Sequence, residues 1–199
     1  MVPESDMENI RVALNRFLPL SETEWQHVQA ILKVKEASQG TQLLRQGEVC
    51  REAYFIDRGL IRLYYIKDGE EKIRQFFFEQ AFVADTASLV TQKPSKLYLE
   101  TLEDSRLLVI PRDPLYALFG SSKNFERLGR LIAQYDFIGI ANRMDSLFLY
   151  SPEERYINLL KNRPLVLQRV PQYMIASYLG VTPEGLSRIK RRVAHHERS

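Results

Sequence analysis

Between Thr41 and Phe78 short β-prone runs alternate with glycine, and this punctuation constrains the fold more than any other feature of the chain. Thr41–Leu44 precedes Gly47, Ala53–Asp57 precedes Gly59, and Leu60–Ile66 precedes Lys67-Asp68-Gly69-Glu70. Asp68-Gly69 is a strong hairpin signal, and Lys72–Phe78 makes the return strand. Two further strands are expected at Leu97–Thr101 and Arg106–Ile110, after a loop near Gln92-Lys93-Pro94. Short strands at near-regular spacing indicate an antiparallel sandwich or small barrel around a pocket or a packed core.

Helical periodicity flanks this region. Residues 5–32 place Ile10, Leu14, Phe17 and Leu18 at helical spacing until Pro19 interrupts. Ser21 and Glu24 then form a capping box, with Leu20 placed to act as a hydrophobic staple and Trp25, Val28, Ile31 and Leu32 on the buried side. After Pro111 and Pro114 the helical pattern returns. A segment of roughly 123–149 sets Phe125, Leu128, Ile132, Tyr135, Ile138, Ala141 or Asn142, and Phe148 three and four apart. That length outgrows what a small barrel covers, so its apolar stripe either pairs with a second copy or packs wholly on its own barrel. Dimerisation through Leu128, Ile132, Tyr135 and Ile138 is the favoured expectation. Ser151 and Pro152 open a further module as N-cap and first helical residue.

Near the C-terminus, Val170–Gly180 reads as a helix stopped by glycine, and Thr182-Pro183 starts another. Glu184, Ser187, Arg188 and Arg191 share one face of the second helix, while Leu186, Ile189 and Val193 share the opposite face. A solvated surface helix shows the same pattern. The tight turn, small Ala176 at the helix crossing and the basic front favour a DNA-reading helix–turn–helix. In the major groove, Arg can bridge guanine O6/N7 and Glu can accept from cytosine N4.

Charge divides accordingly. Residues 151–199 hold nine Lys/Arg and four Asp/Glu, whereas residues 1–150 hold 19 and 21, so the net +3 of the 199-residue chain is a basic module joined to a near-neutral one. That asymmetry is the footprint of a nucleic-acid-binding end. The single cysteine, Cys50, excludes an internal disulfide framework or a cysteine-ligated metal, and is either a redox switch or a small core residue. His27, His195 and His196 make no zinc or catalytic spacing; no metal and no cofactor are expected. No nucleophile–base pair or phosphate loop is visible, so an enzyme is the least supported class. No apolar run is long enough for a membrane span and residues 1–10 lack a leader pattern, making a cytoplasmic location the default expectation.

Barrel, long helix and helix–turn–helix in this order resemble the Crp/Fnr family of bacterial transcription regulators. The resemblance is carried by Leu44-x-x-Gly47-Glu48, by Tyr54-Phe55-Ile56-Asp57-Arg58-Gly59, and by the junction Glu154-Arg155-Tyr156. It is most specific in Ile175-Ala176-x-x-Leu179-Gly180-Val181-Thr182-Pro183-Glu184-x-x-Ser187-Arg188. The fold it implies is α+β: an N-terminal antiparallel β-roll with flanking helices over residues 1–120, a dimerisation helix over 121–150, and a helix–turn–helix domain over 151–199. By the same resemblance Glu184, Ser187 and Arg188 read bases, while Thr182, Lys190, Arg191 and Arg192 hold phosphates. The implied partners are double-stranded DNA on a near-palindromic site, a second copy of the chain, RNA polymerase and a small-molecule effector.

Two departures qualify the resemblance. Cyclic-AMP-binding members supply F-G-E for the ribose and an Arg-Ser or Arg-Thr pair for the phosphate. Here the effector cassette reads Phe82-Val83-Ala84-Asp85 and Pro94-Ser95-Lys96, with Ser95 in the arginine position and Lys96 a displaced point charge. Cyclic AMP is therefore not the expected effector. The Fnr-like cysteine ligands are also absent. Beyond the second helix, His195-His196-Glu197-Arg198-Ser199 leaves no room for the family's β-wing, which bears on affinity more than on groove choice. The expected function is a Crp/Fnr-type homodimeric regulator; the alternative is a ligand-sensing module whose shortened C-terminal domain no longer binds a specific site.

Overall fold

The computed structural model describes residues 7–196, so Glu197, Arg198 and Ser199 lie outside the described residues. Two helices, α1 (Glu8–Asn15) and α2 (Glu22–Ile31), precede eight strands. Ser21 and Glu24 close the expected capping box around the start of α2, each accepting from the other's backbone N–H. The strands are β1 (Lys33–Ala37), β2 (Gln42–Leu44), β3 (Glu52–Arg58), β4 (Ile61–Lys67), β5 (Glu70–Phe77), β6 (Phe82–Val83), β7 (Tyr98–Thr101) and β8 (Ser105–Pro111). A short helix, α3 (Thr86–Thr91), lies between β6 and β7, and α4 (Arg112–Ser121) follows β8. The sequence pattern did not separate β1, β6 or α3: β6 and α3 span only two and six residues, α3 within the stretch read as an effector cassette, and β1 carries three charged residues among its five.

The strands form two antiparallel four-stranded sheets, ordered β1-β8-β3-β6 and β2-β7-β4-β5. Alternation along β3 and β8 sends side chains to two different cores. Tyr54, Ile56, Leu107 and Val109 join the interior between the sheets, with Ile61, Leu63, Val83, Leu97 and Leu99. Phe55, Leu108 and Ile110 point the other way, under Met7, Ile10, Leu14, Trp25 and Val28 from the helical layer. This sheet is therefore buried on both faces, which explains the unbroken apolar runs at Tyr54-Phe55-Ile56 and Leu107–Ile110. Each fully buried Leu, Ile or Phe contributes about 1.5–3 kcal/mol relative to exposure.

Two turns need glycine. Asp68 and Gly69 take φ 55° and 78°, the paired left-handed conformations of a tight hairpin between β4 and β5. Gly59 takes φ 115°, and a Cβ there would lie 2.1 Å from the Ser105 hydroxyl oxygen.

The second helical region begins with α5 (Lys123–Leu149), followed by α6 (Pro152–Asn162), α7 (Pro164–Arg169), α8 (Gln172–Leu179) and α9 (Pro183–His196). Ser151 and Glu154 form a second capping box, with Pro152 in the first turn of α6. By packing, the chain divides into two compact units. One runs to Leu63 and from Phe76 to Tyr135; the other combines Tyr64–Gln75, the outer part of the β4–β5 hairpin, with everything from Asp136 onward. Among the described residues no helix is long and apolar enough to cross a membrane, and no cluster of His, Cys, Asp or Glu could hold a metal ion.

Candidate functional site

The turn between α8 and α9 is set by Gly180, whose φ of 70° would strain any side-chain-bearing residue. Its N–H bonds the Ser177 carbonyl at 3.1 Å, and the Val181 N–H bonds the Ala176 carbonyl at 3.0 Å, the paired bonds of a Schellman stop. Thr182 then caps α9, its hydroxyl accepting from the Gly185 N–H at 3.1 Å. Leu186, Ile189 and Val193 are buried, and α9 packs on α6 and α8.

That packing leaves the polar face outward. Glu184, Ser187 and Arg188 are all exposed, at adjacent positions on successive turns. Hydrogen bonds from its own backbone N–H and from Thr182 hold the Glu184 carboxyl below the usual range, with Arg188 adding to the effect. Glu184 is thus an ionised acceptor at neutral pH, beside a guanidinium donor. Thr182 and Arg191 are also exposed. Lys190 and Arg192 already have protein partners: Lys190 Nζ donates to Gln172 at 3.0 Å, and Arg192 Nε pairs with Glu153 at 2.7 Å. A groove of about 580 Å³ between α6 and α9 has Glu153 and Glu154 opposite Arg188 and Arg192, walls of mixed charge.

The four cassette residues do not converge. Asp85 and Ser95, 4% and 3% exposed, face each other directly, Ser95 Oγ donating to Asp85 Oδ2 at 2.7 Å. The other Asp85 oxygen caps α3 through the Ser88 N–H at 3.4 Å. Lys96 is exposed. Phe82 packs on Phe55 with ring centroids 5.1 Å apart, in the core beneath the helices.

Sequence reasoning missed Ser88 and Gln92. Ser88 Oγ accepts from the Cys50 N–H at 2.9 Å and donates to the Lys93 carbonyl at 2.6 Å. Gln92 Nε2 reaches the Cys50 carbonyl at 3.1 Å. Polar residues in a six-residue helix give no periodic signal, so only the fold shows them holding the cassette. Cys50 is buried, donates to the Glu52 carbonyl at 3.3 Å, and has its thiol pKa pushed up by that burial.

On α5, Leu128 is only 3% exposed and Ile132 packs against the same core, with Phe125 and Trp25, so both belong to the chain's own interior. Tyr135 is 69% exposed, its ring edge-on to Phe17 at 5.5 Å, and Ile138 is exposed as well. Phe137, Met144 and Phe148 extend the exposed apolar surface, Phe148 reaching 80%. The first two belong to a helical face next to the one traced in the sequence.

The sheet order and the flanking helices can now be set beside known proteins. Residues 34–122 match the cyclic nucleotide-binding domain family. Among solved structures, the catabolite activator protein of Thermus thermophilus is 19% identical and superposes with a TM-score of 0.57, over 93% of this chain and 88% of that one. FixK2 from Bradyrhizobium japonicum is 17% identical with a TM-score of 0.72, over 84% and 86%. The c-di-GMP-responsive global regulator CLP of Xanthomonas campestris is 16% identical with a TM-score of 0.69, over 89% and 93%. The chain has a Crp/Fnr-like fold. No curated protein matches the sequence itself. The domain match stops at Ser122, one residue before α5, and the helices beyond it fit the C-terminal part of the plan. The cassette of Asp85 and Ser95 lies inside the matched segment, and the exposed face of α9 outside it.

Proposed function

We propose that the chain is a sequence-specific DNA-binding transcription regulator of the Crp/Fnr type, acting as a homodimer on a near-palindromic operator. The observation that carries the reading is the division of α9. Leu186, Ile189 and Val193 are buried, and the capped N-terminal turns hold Glu184, Ser187 and Arg188 outward. A carboxylate, a hydroxyl and a guanidinium at that spacing match the donor and acceptor edges of the major groove. Glu184, Ser187 and Arg188 read bases, with Arg188 on a guanine; Thr182 and Arg191 hold phosphates, and Lys190 and Arg192 join them by exchanging Gln172 and Glu153 for phosphate oxygens.

Dimerisation uses the exposed part of α5 from Tyr135 onward, with Ile138, Met144 and Phe148, rather than Leu128 and Ile132. The effector is a small molecule other than cyclic AMP. The buried Asp85 carboxylate in the cassette repels a cyclic phosphate, and Ser95 offers no counter-charge. Selection from random double-stranded DNA, run with and without cyclic AMP, tests the reading. A palindromic consensus that cyclic AMP does not alter is the expected result; a flat profile favours the ligand-sensing module without a specific DNA site.

A further inference from the structure

Lys190 and Arg192, both on the outer turns of α9, are held by partners of different charge. Lys190 Nζ donates to Gln172, a neutral amide, at 3.0 Å. Arg192 Nε instead donates to a carboxylate, Glu153 Oε2, at 2.7 Å. Glu153 comes from the first turn of α6, across the groove of about 580 Å³ that Arg188 and Arg192 also line. Its neighbour Glu154 is engaged elsewhere, accepting from the Ser151 N–H at 2.7 Å to close the capping box. Glu153 has no part in that cap and faces α9. Arg188 and Arg192 are four residues apart, one helical turn, so the carboxylate sits one turn from the arginine assigned to a guanine.

A carboxylate oxygen and a phosphate oxygen take the same guanidinium N–H groups, so Glu153 and a DNA phosphate compete for Arg192. While the pair is closed, an approaching phosphate meets no net charge there. The Arg192 and Glu153 side chains are 55% and 30% exposed, so the pair is solvated and opens readily once a phosphate is held close. We propose that Glu153 is a specificity-determining residue, withholding one sequence-independent phosphate contact until α9 is seated on its site. On random sequence nothing fixes the depth of α9 in the groove, and Arg192 stays on Glu153. On an operator the base contact of Arg188 holds α9 in place, brings Arg192 against a phosphate and opens the pair. Binding to random sequence is almost wholly a matter of phosphate contacts, so losing one of them weakens it more than it weakens the operator complex. This role rests on the DNA-binding reading of α9 and deepens it by giving an acidic residue of α6 a part in discrimination.

The test titrates the full chain, by fluorescence anisotropy, on a duplex of random sequence and on the selected operator, between about 50 and 200 mM salt. Glu153→Gln keeps the size of the side chain and removes its charge. On the random duplex it is expected to tighten binding about tenfold at about 0.1 M salt and to steepen the plot of log affinity against log salt by about 0.9. On the operator, where the wild-type chain already makes the contact, the gain is about two- to threefold, so discrimination falls about three- to fivefold. Glu153→Ala is expected to act in the same direction. In an Arg192→Gln background, Glu153→Gln should change random-duplex affinity by less than about threefold. Glu126→Gln, at an exposed acid in the first turn of α5 and in the other compact unit, makes the same change in net charge and should not steepen the slope. Unchanged or weaker random-duplex binding by Glu153→Gln overturns the proposal. An equal gain from Glu126→Gln, or from Glu153→Gln without Arg192, overturns it as well. A wild-type chain that shows no operator preference sinks the regulator reading instead, and the random-duplex comparison still decides whether Glu153 restrains Arg192.

Discussion

Ser95 donates its hydroxyl hydrogen to Asp85 across 2.7 Å, and both side chains are buried. The bond closes the cassette on itself with an acidic and a neutral group where a phosphate ligand needs a cation. Titration calorimetry with cyclic AMP is expected to show no saturable binding up to about 1 mM, an affinity below about 4 kcal/mol. A clear micromolar isotherm would sink this view of the cassette. Ser95→Ala, which strips a buried partner from the Asp85 carboxylate, is expected to lower unfolding stability by about 1–3 kcal/mol in denaturant titration.

Arg188 and Arg191 lie three residues apart on α9, both exposed, with different assigned roles. Arg188→Ala should cost roughly 1–3 kcal/mol on the selected operator and relax preference at one base pair. Arg191→Ala should weaken all sequences alike and reduce the salt slope by about one unit. Identical behaviour of the two variants in a salt-dependent binding series would remove the distinction.

Leu128 and Phe148 separate folding from association on the same helix. Leu128 is packed in the chain's own core, so Leu128→Ala should cost about 2–5 kcal/mol of stability. Phe148 is exposed, so Phe148→Asp should shift the chain from dimer to monomer and lower the melting temperature only by the concentration-dependent share that association contributes. Sedimentation velocity at several concentrations measures that shift.

Glu24 gives a pH dependence. The Ser21 backbone N–H, then Asn124 Nδ2 at 2.8 Å and the Ser21 hydroxyl, hold its carboxyl below the ordinary value. Because the folded pKa lies below the unfolded one, this stabilisation is complete above the unfolded value and disappears as pH falls through the folded one. Glu24→Gln should therefore lower stability at neutral pH and above, converge on the wild type at acid pH, and so flatten part of the acid limb of a stability–pH curve. Ser21→Ala, which removes the N-cap, should cost about 1 kcal/mol at neutral pH.

Where the sequence was legible, short-range chemistry was deciding. Ser21 with Glu24, Ser151 with Pro152, Asp68-Gly69 and Gly180 each act within a few residues of themselves, and each forms the cap or turn its residue types require. The apolar and polar faces of α9 separated in the sequence for the same reason: a 3.6-residue period needs no knowledge of the partner. The limits of α5 could be read in this way too, but not which of its apolar residues stay exposed.

The tertiary structure decided everything that depends on which surface meets which. It put Leu128 and Ile132 into a core with Trp25 and left Phe137 and Phe148 outside, because the helical layer covers only the first part of α5. It turned Phe82 toward Phe55 while Asp85 met Ser95 ten residues away. It also bonded Ser177 to a hairpin more than a hundred residues earlier. No local pattern encodes such pairings. A polar group leaving water takes the partner that the fold brings within about 3 Å, and that partner is set by the packing of distant apolar surfaces.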